Sequence, residues 1–300
     1  LATVGDRVWG AGHYSTPLVL DRATGEDPLR ELKADLGCNP AGYYRYKLLY
    51  YTLGGQDVVV VDDTAVLVGG NRLFENHQVR EGKRQRVGYK LYFVDEKGDW
   101  GTDVAPLRAI KVGRVTPACD DDLVVFAAPP PVTEKRGKLQ PIRSANRATV
   151  GLNVWRKDRF LEAARAMQTG PVVDEQASRR GRTVFQKAYD PGVFRDLDHT
   201  GAAWRKPDLD INAVVLARDA VLVAHADGET DLWTWQPGRL SKRDALMSYA
   251  GWKLTAFARV DGQELWSLDL PSEPLYNGIA IAADGSVLVT LRDGSVVAVR

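Results

Sequence analysis

Little in this chain announces an activity. Only two of its 300 residues are cysteine, Cys38 and Cys119, 81 positions apart. That excludes a disulfide-rich scaffold and a cysteine-based zinc site, and it leaves the redox compartment open. Four histidines, His13, His77, His199 and His225, share no metal-ligand spacing such as i, i+4 and read as ordinary surface or core residues. Long apolar runs are missing too. Residues 58–61 and 279–283 are typical of the longest, against roughly 18 residues for a membrane span. Neither sign of charge dominates: 40 Lys+Arg against 39 Asp+Glu gives +1, so no global field points to nucleic acid. There is no Gly-Lys-Ser/Thr phosphate loop and no Gly-x-Ser-x-Gly elbow. Gly10-Ala11-Gly12 is half a dinucleotide fingerprint and reads as a turn. The chain opens on Leu1 without a signal peptide, which suggests a fragment or a processed chain. With 44% hydrophobic and 26% charged residues, disorder is excluded as well.

What is present is repetition. Four segments share a polar turn followed by a β-branched run: Asp62-Asp63-Thr64-Ala65-Val66-Leu67-Val68, Asp121-Asp122-Leu123-Val124-Val125-Phe126, Arg218-Asp219-Ala220-Val221-Leu222-Val223 and Asp284-Gly285-Ser286-Val287-Leu288-Val289. Gly5-Asp6-Arg7-Val8-Trp9 is a fifth, weaker copy. Each run is one strand long, and the polar pair supplies the preceding turn. A second element follows at variable distance: a strand, a charged turn containing Gly, and another strand. Residues 254–268 carry it most clearly, with looser copies at 18–26 and 91–100. Gly accepts the positive φ that such hairpin turns demand. Turn aspartates 6, 63, 121, 219 and 284 are separated by 57, 58, 98 and 65 residues. One four-stranded propeller blade takes roughly 40–45, so these units read as about five blades with loop insertions. A β-sandwich is the alternative; a helical solenoid is excluded by the lack of 3.6-residue periodicity. Residues 279–283, 286–291 and 295–299 predict a closing antiparallel meander with turns at Asp284-Gly285 and Asp293-Gly294.

The middle differs in kind. Pro129-Pro130-Pro131 ends the preceding strand, and nine Lys/Arg between 135 and 165 face only Asp158 and Glu162. Residues 129–207 therefore read as a basic insertion on the rim, either solvated or facing an acidic partner. Asp158 is expected to cap a short helix with Phe160, Leu161, Ala164 and Met167 on one face, ending near Gly170. Asp208-Leu209-Asp210-Ile211-Asn212 resembles a calcium loop only superficially, because Ala213 and Asp219 stand where Gly and Glu are wanted. Asp120-Asp121-Asp122 reads as a solvated turn. Trp233-Thr234-Trp235 and Tyr43-Tyr44-Arg45-Tyr46 are aromatic clusters open to two readings, packing between sheets or a recognition surface built on Trp233, Trp235, Tyr43 and Tyr44.

Ala256-Phe257-Ala258-Arg259-Val260-Asp261-Gly262-Gln263-Glu264-Leu265-Trp266 resembles the blade motif Ala-x-Asp-x-x-Thr-Gly-x-x-x-Trp of the PQQ-like (quinoprotein-type) β-propeller repeats. It matches at Ala256, Gly262 and Trp266, and departs at Ala258 and Asp261. Leu20-Asp21-Arg22-Ala23-Thr24-Gly25 keeps the Asp and the Thr-Gly without the Trp. The resemblance covers the last 90 residues well, residues 1–128 loosely and residues 129–207 not at all. It implies an all-β propeller of four-stranded antiparallel blades, an incomplete or C-terminal part of a seven- or eight-bladed ring. It also implies that Trp266, Gly262, Ala256 and Trp100 are blade-docking residues, with Trp266 buried between neighbouring blades. A bacterial, periplasmic or otherwise extracytoplasmic setting goes with it. The family's quinone-dependent dehydrogenases use PQQ, calcium, a catalytic Asp and often a vicinal Cys pair. Cys38 and Cys119 are not vicinal, and no acidic cluster matches the calcium and base positions. The reading is thus a non-catalytic scaffold without cofactor or metal, binding another protein or a fused domain. A calcium- and PQQ-dependent dehydrogenase and a carbohydrate-binding or carbohydrate-cleaving propeller are the alternatives.

Overall fold

Short polar turns set the strand boundaries, because their aspartates accept the backbone N–H groups that a sharp reversal leaves unpaired. Asp62 Oδ1 accepts from the Thr64 N–H at 2.7 Å, Asp120 Oδ1 from Asp122 and Leu123 at 2.9 Å, and Asp284 Oδ1 from Ser286 at 3.0 Å. Each turn launches the β-branched run that follows it. The computed structural model describes residues 1–11, 17–28, 57–69, 89–100, 107–108, 115–128, 151–167, 199–207, 209, 211–227 and 251–300.

Among the described residues five antiparallel sheets, one short α-helix and a 3-10 turn at His199–Gly201 result, an all-β fold. Sheet 1 holds β1 (Ala2–Val4), β2 (Arg7–Gly10) and β3 (Leu18–Asp21). Sheet 2 holds β4 (Asp57–Asp62), β5 (Ala65–Gly69), β6 (Lys90–Phe93) and β7 (Leu107–Arg108). Sheet 3 holds β8 (Ala118–Cys119), β9 (Leu123–Ala128), β10 (Gly151–Arg156) and β11 (Trp204–Lys206). Sheet 4 holds β12 (Ile211–Leu216), β13 (Ala220–Asp227), β14 (Gly251–Ala258) and β15 (Glu264–Leu270). Sheet 5 holds β16 (Pro274–Ile281), β17 (Val287–Leu291) and β18 (Val296–Val299). Within every sheet the strands lie side by side in chain order. All five repeated runs are second strands: β2, β5, β9, β13 and β17.

The runs of β5, β9 and β13 read as continuously apolar because the sheets stack face to face, burying both sides of these second strands. In β9, Val124 and Phe126 join Leu67 and Leu91 of sheet 2, while Val125 and Ala127 join Val221, Val223 and Phe257 of sheet 4. In β13, Leu222 and Ala224 turn the other way, onto Val287, Val289 and Leu291 of sheet 5. The first strands β1, β4, β8, β12 and β16 are neighbours in that succession, each touching the next.

Two expectations for the middle of the chain change. Residues 151–156 and 204–206, inside the stretch read as an insertion, form the last two strands of sheet 3. The surrounding lysines and arginines mask the short apolar pattern of Leu152, Val154 and Trp204. The helix, α1 (Lys157–Ala166), buries Phe160, Leu161 and Ala164 as the pattern requires. Its N-cap is Arg156 without a side-chain cap, Asp158 lies inside the first turn, and the helix stops before Met167. It follows β10 directly, with the Lys157 N–H on the Asp122 carbonyl, so strand geometry rather than a capping side chain fixes its start.

Candidate functional site

The polar and aromatic side chains that sequence reasoning singled out gather at the seams between sheets. At the first seam, Arg7 of β2 reaches into sheet 2 and grips Asp99 through two parallel bonds, Nε to Oδ1 at 2.6 Å and Nη2 to Oδ2 at 2.7 Å. Its Nη1 holds Asp21 of its own sheet at 2.7 Å. The hydrogen bond to Asp99 raises the guanidinium pKa further above its ordinary value, despite burial. Bidentate pairing of this kind fixes orientation as well as charge. Beside it the Trp9 Nε1–H donates to the Gly98 carbonyl at 3.0 Å, and the Trp9 ring packs on Tyr92, 5.7 Å between centroids. Trp100 closes the stack edge-on to Tyr92 at 5.1 Å. Trp100 is buried, and among the described residues its Nε1–H has no hydrogen-bond partner. Gly98 has φ +84°, and a Cβ there would collide with the Val4 carbonyl.

The seam between sheets 3 and 4 repeats the device with different residues. Trp204 of β11 donates its Nε1–H to the Arg259 carbonyl at 2.9 Å and lies on the β14–β15 hairpin. A Cβ at Gly262, where φ is +73°, would come within 2.5 Å of the Trp204 ring. Only glycine allows both the left-handed backbone and the close approach. Arg259 turns toward Asp120 of sheet 3, Nη1 to Oδ2 at 2.7 Å, with Asp122 at 3.8 Å, and it also donates to the Ala217 carbonyl at 2.8 Å. Burial works to raise the Asp120 pKa, but the bonds from Arg259, Leu123 and Asp122 lower it overall. A shallow cavity of about 260 Å³ opens here, lined by the three aspartates, Arg259 and residues 216–218. The carboxylate cluster thus has a cation of its own in Arg259.

Farther along sheet 4 a hydroxyl chain runs inward from β15. Ser267 Oγ lies 2.9 Å from Thr255 Oγ1, which lies 2.9 Å from His225 Nε2, and His225 Nδ1 lies 2.7 Å from the Ala226 carbonyl. A carbonyl only accepts, so Nδ1 carries the proton, Nε2 accepts from Thr255, and Thr255 accepts from Ser267. Burial holds the His225 pKa below its ordinary value. Lys253 pairs with Asp227 at 3.0 Å beside it. Where the first strands meet, Thr116 donates its N–H to Asn277 Oδ1 at 2.9 Å and receives Asn277 Nδ2 at 2.8 Å, while Asp57 accepts from Tyr89 at 2.8 Å and from Thr116 at 3.1 Å. Asn277 has φ +55° and stands in a bulge of β16, where the pairing with β17 jumps from Pro274 to Ile279.

The residues expected to dock one sheet on the next fall into different places. Trp100, Gly262 and Ala256 lie at seams, with Ala256 fully buried opposite Trp266 in the β14–β15 register. Trp266 does not meet its expectation: it is 39% exposed, along with Leu268 at 39% and Leu265 at 52%. Its indole shares the face of sheet 4 that packs on sheet 5, but the described part of sheet 5 has three strands, and none lies opposite β15. Trp204, paired with Val154 as Trp266 is with Ala256, occupies the buried position instead. Tyr43, Tyr44, Trp233 and Trp235 lie outside the described residues, as do Cys38, Asp208 and Asp210. Among the described residues no three His, Cys, Asp or Glu side chains are grouped to hold a metal ion, and no helix is long and apolar enough to cross a membrane. Sequence reasoning missed Trp9, Arg7, Trp204 and Arg259. The available signal was position: Arg7 follows a repeat turn directly, and Arg259 precedes the Asp-Gly hairpin by two residues.

No model of a known protein family matches the chain, and no curated protein does. Among solved structures, the chain is similar to the computationally designed Ika8 protein, at 14% identity and a TM-score of 0.42, covering 99% of this chain and 56% of that one. It is similar also to BamB from Moraxella catarrhalis, at 14% identity and a TM-score of 0.36, covering 99% of this chain and 62% of that one. The chain therefore spans less than two thirds of either protein's length.

Proposed function

We propose that the five sheets are consecutive blades of a PQQ-like β-propeller, and that the protein is a non-catalytic scaffold presenting its rim to another protein or to a fused domain. One observation carries this reading: the sheets stack face to face in chain order with their first strands adjacent, the arrangement that sets blades around an axis. A meander of three or four strands is too small to bury its own faces, so stacking supplies the core and leaves the connecting loops free for recognition. The seams support the scaffold side of the proposal. Arg7, Asp99, Arg259, Asp120, Trp9 and Trp204 hold one sheet to the next, so their chemistry is spent on assembly. The family resemblance extends the proposal to an extracytoplasmic setting.

Titration with pyrroloquinoline quinone and calcium tests the non-catalytic half. The expected result is no stoichiometric chromophore and no dye reduction with alcohol or sugar substrates. A bound chromophore in a one-to-one ratio would replace the scaffold with a dehydrogenase.

A further inference from the structure

His225, Thr255 and Ser267 form one line of hydrogen bonds whose two ends lie in different surroundings. In sheet 4, Thr255 stands opposite Val223 on one side and Ser267 on the other, with His225 two residues along from Val223. Strand alternation puts all of them on the face that carries Val221, Val223 and Phe257 against sheet 3. His225 and Thr255 are buried there, 7% and 2% exposed, whereas Ser267 is exposed. The line therefore joins a buried imidazole to a surface hydroxyl through one intervening hydroxyl. Its direction is fixed at the inner end. Nδ1–H is committed to the Ala226 carbonyl at 2.7 Å, which leaves the Nε2 lone pair for Thr255 at 2.9 Å and the Thr255 oxygen for Ser267 at 2.9 Å. Packing alone does not require such a line, because apolar groups of the same shape in place of hydrogen-bonded partners are close to neutral for stability. A hydroxyl whose proton leads to an oriented neutral imidazole is the arrangement that activates a serine nucleophile.

We infer that Ser267 is a nucleophilic acceptor site for the acyl group of a carboxylic ester, with Thr255 relaying its proton to His225. As Ser267 Oγ attacks the carbonyl carbon an Oγ–C bond forms, its proton moves to Thr255 Oγ1, and the Thr255 proton moves to His225 Nε2. The ester C–O bond then breaks, the alkoxide or phenoxide leaves with the bonding pair, and the imidazolium afterwards gives its proton to the solvent. The chain gains one acyl group and one alcohol or phenol is released. Asp227 of β13 and Glu264 of β15 favour the imidazolium formed, Lys253 of β14 opposes it, and burial keeps the resting base neutral near pH 7. This single covalent capture goes beyond the scaffold reading and needs no quinone, so the quinone titration leaves it standing or falling alone.

The probe is p-nitrophenyl acetate, with p-nitrophenolate release followed by absorbance and the acetylated residue located by mass spectrometry of the 300-residue chain. Ser295 is the internal reference: it is exposed too, but its hydroxyl donates at 2.7 Å to Asp293, a carboxylate held below its ordinary pKa and so a poor base. Ser267 is expected to be acetylated at least about tenfold faster than Ser295, the low end of what a positioned base contributes. His225→Gln, which keeps a polar partner but takes no proton, should abolish the excess, as should Thr255→Val, which removes only the hydroxyl. Thr255→Ser should keep it, and melting temperatures check that each variant is folded. The pH profile needs no variant. The neutral form of His225 accepts the proton and is fully populated above a folded pKa below 6.5, so the Ser267 rate should level off by about pH 7 while the Ser295 rate keeps rising with hydroxide. Equal acetylation of the two serines, an excess that survives His225→Gln, or a Ser267 rate still climbing between about pH 7 and 9 overturns the inference and leaves the line as internal hydrogen bonding of the sheet.

Discussion

Gly262→Ala is the substitution that tests how the sheets are held together. Two separate costs follow from the structure. At φ +73° an L side chain sits in the left-handed region, which costs about 1–2 kcal/mol. The added Cβ would also lie 2.5 Å from the Trp204 ring, and overpacking of a filled contact costs about 1–3 kcal/mol more. The sum is about 2–5 kcal/mol, out of the roughly 5–15 kcal/mol that holds a domain folded. Gly285→Ala is the matched control: φ is +83°, and nothing lies within 4 Å of the new Cβ, so only the first cost applies. Urea denaturation followed by tryptophan fluorescence gives both values. In a thermal melt Gly262→Ala should fall by roughly 4–20 °C and the control by roughly 2–8 °C. Replacing Trp204 by Leu first should bring Gly262→Ala down to the level of the control, since the colliding ring is gone. If the two glycine substitutions cost the same in the parent chain, Trp204 is not seated on the hairpin and the docking argument fails.

Arg7→Lys and Arg7→Ala test the first seam. Losing the guanidinium removes charge-assisted hydrogen bonds to the part-exposed Asp99 and Asp21, so Arg7→Ala should cost about 1.5–3 kcal/mol and Arg7→Lys less, read from denaturant midpoints. His225 gives a pH dependence. Its folded pKa lies below the ordinary 6.5, with Asp227, Lys253 and Glu264 as charged neighbours, so the unfolded chain binds more protons near and below that value. Stability is fully present above pH 6.5 and falls as pH drops through it toward the folded value; His225→Gln should flatten the slope between pH 7 and 5, and an unchanged slope would refute the assignment. Cys119 is half-buried, and desolvation pushes its thiol up to about 12, so native protein at pH 8 should alkylate the Cys119 peptide with iodoacetamide far more slowly than denatured protein, as read by mass spectrometry.

How far the sequence could be read depended on whether a residue's role was local. Turn aspartates and second strands are local: Asp62, Asp120 and Asp284 bond N–H groups two or three residues on, and the apolar runs after them are strands, buried on both faces in β5 and β9 and on one face in β17. All five second strands were legible for that reason. The third strand of sheet 3 was not, because Leu152, Val154 and Trp155 stand among lysines and arginines that belong to the loops and to α1. Pairing across seams was still less legible. Nothing near Arg7 in sequence shows that its carboxylate is Asp99, 92 residues away, or that Trp204 lies on a hairpin 58 residues later.

Trp266 shows the limit most clearly. Its motif gives the register correctly: Ala256 stands opposite Trp266, and Gly262 turns the hairpin between them. What the motif does not contain is the neighbour. In a stacked array the burial of a fourth-strand residue depends on the next sheet having a fourth strand, and burial is therefore a property of the pair. Trp204 and Trp266 occupy equivalent places in successive sheets, yet one is 8% exposed and the other 39%, because sheet 4 supplies β15 and its hairpin while the described sheet 5 stops at β18. The same residue type at the same register is thus a buried seam in one sheet and a part-exposed face in the next. A Trp at this register therefore gains its burial only from the strand that the next sheet lays over it, which for Trp204 is the β14–β15 hairpin at Gly262.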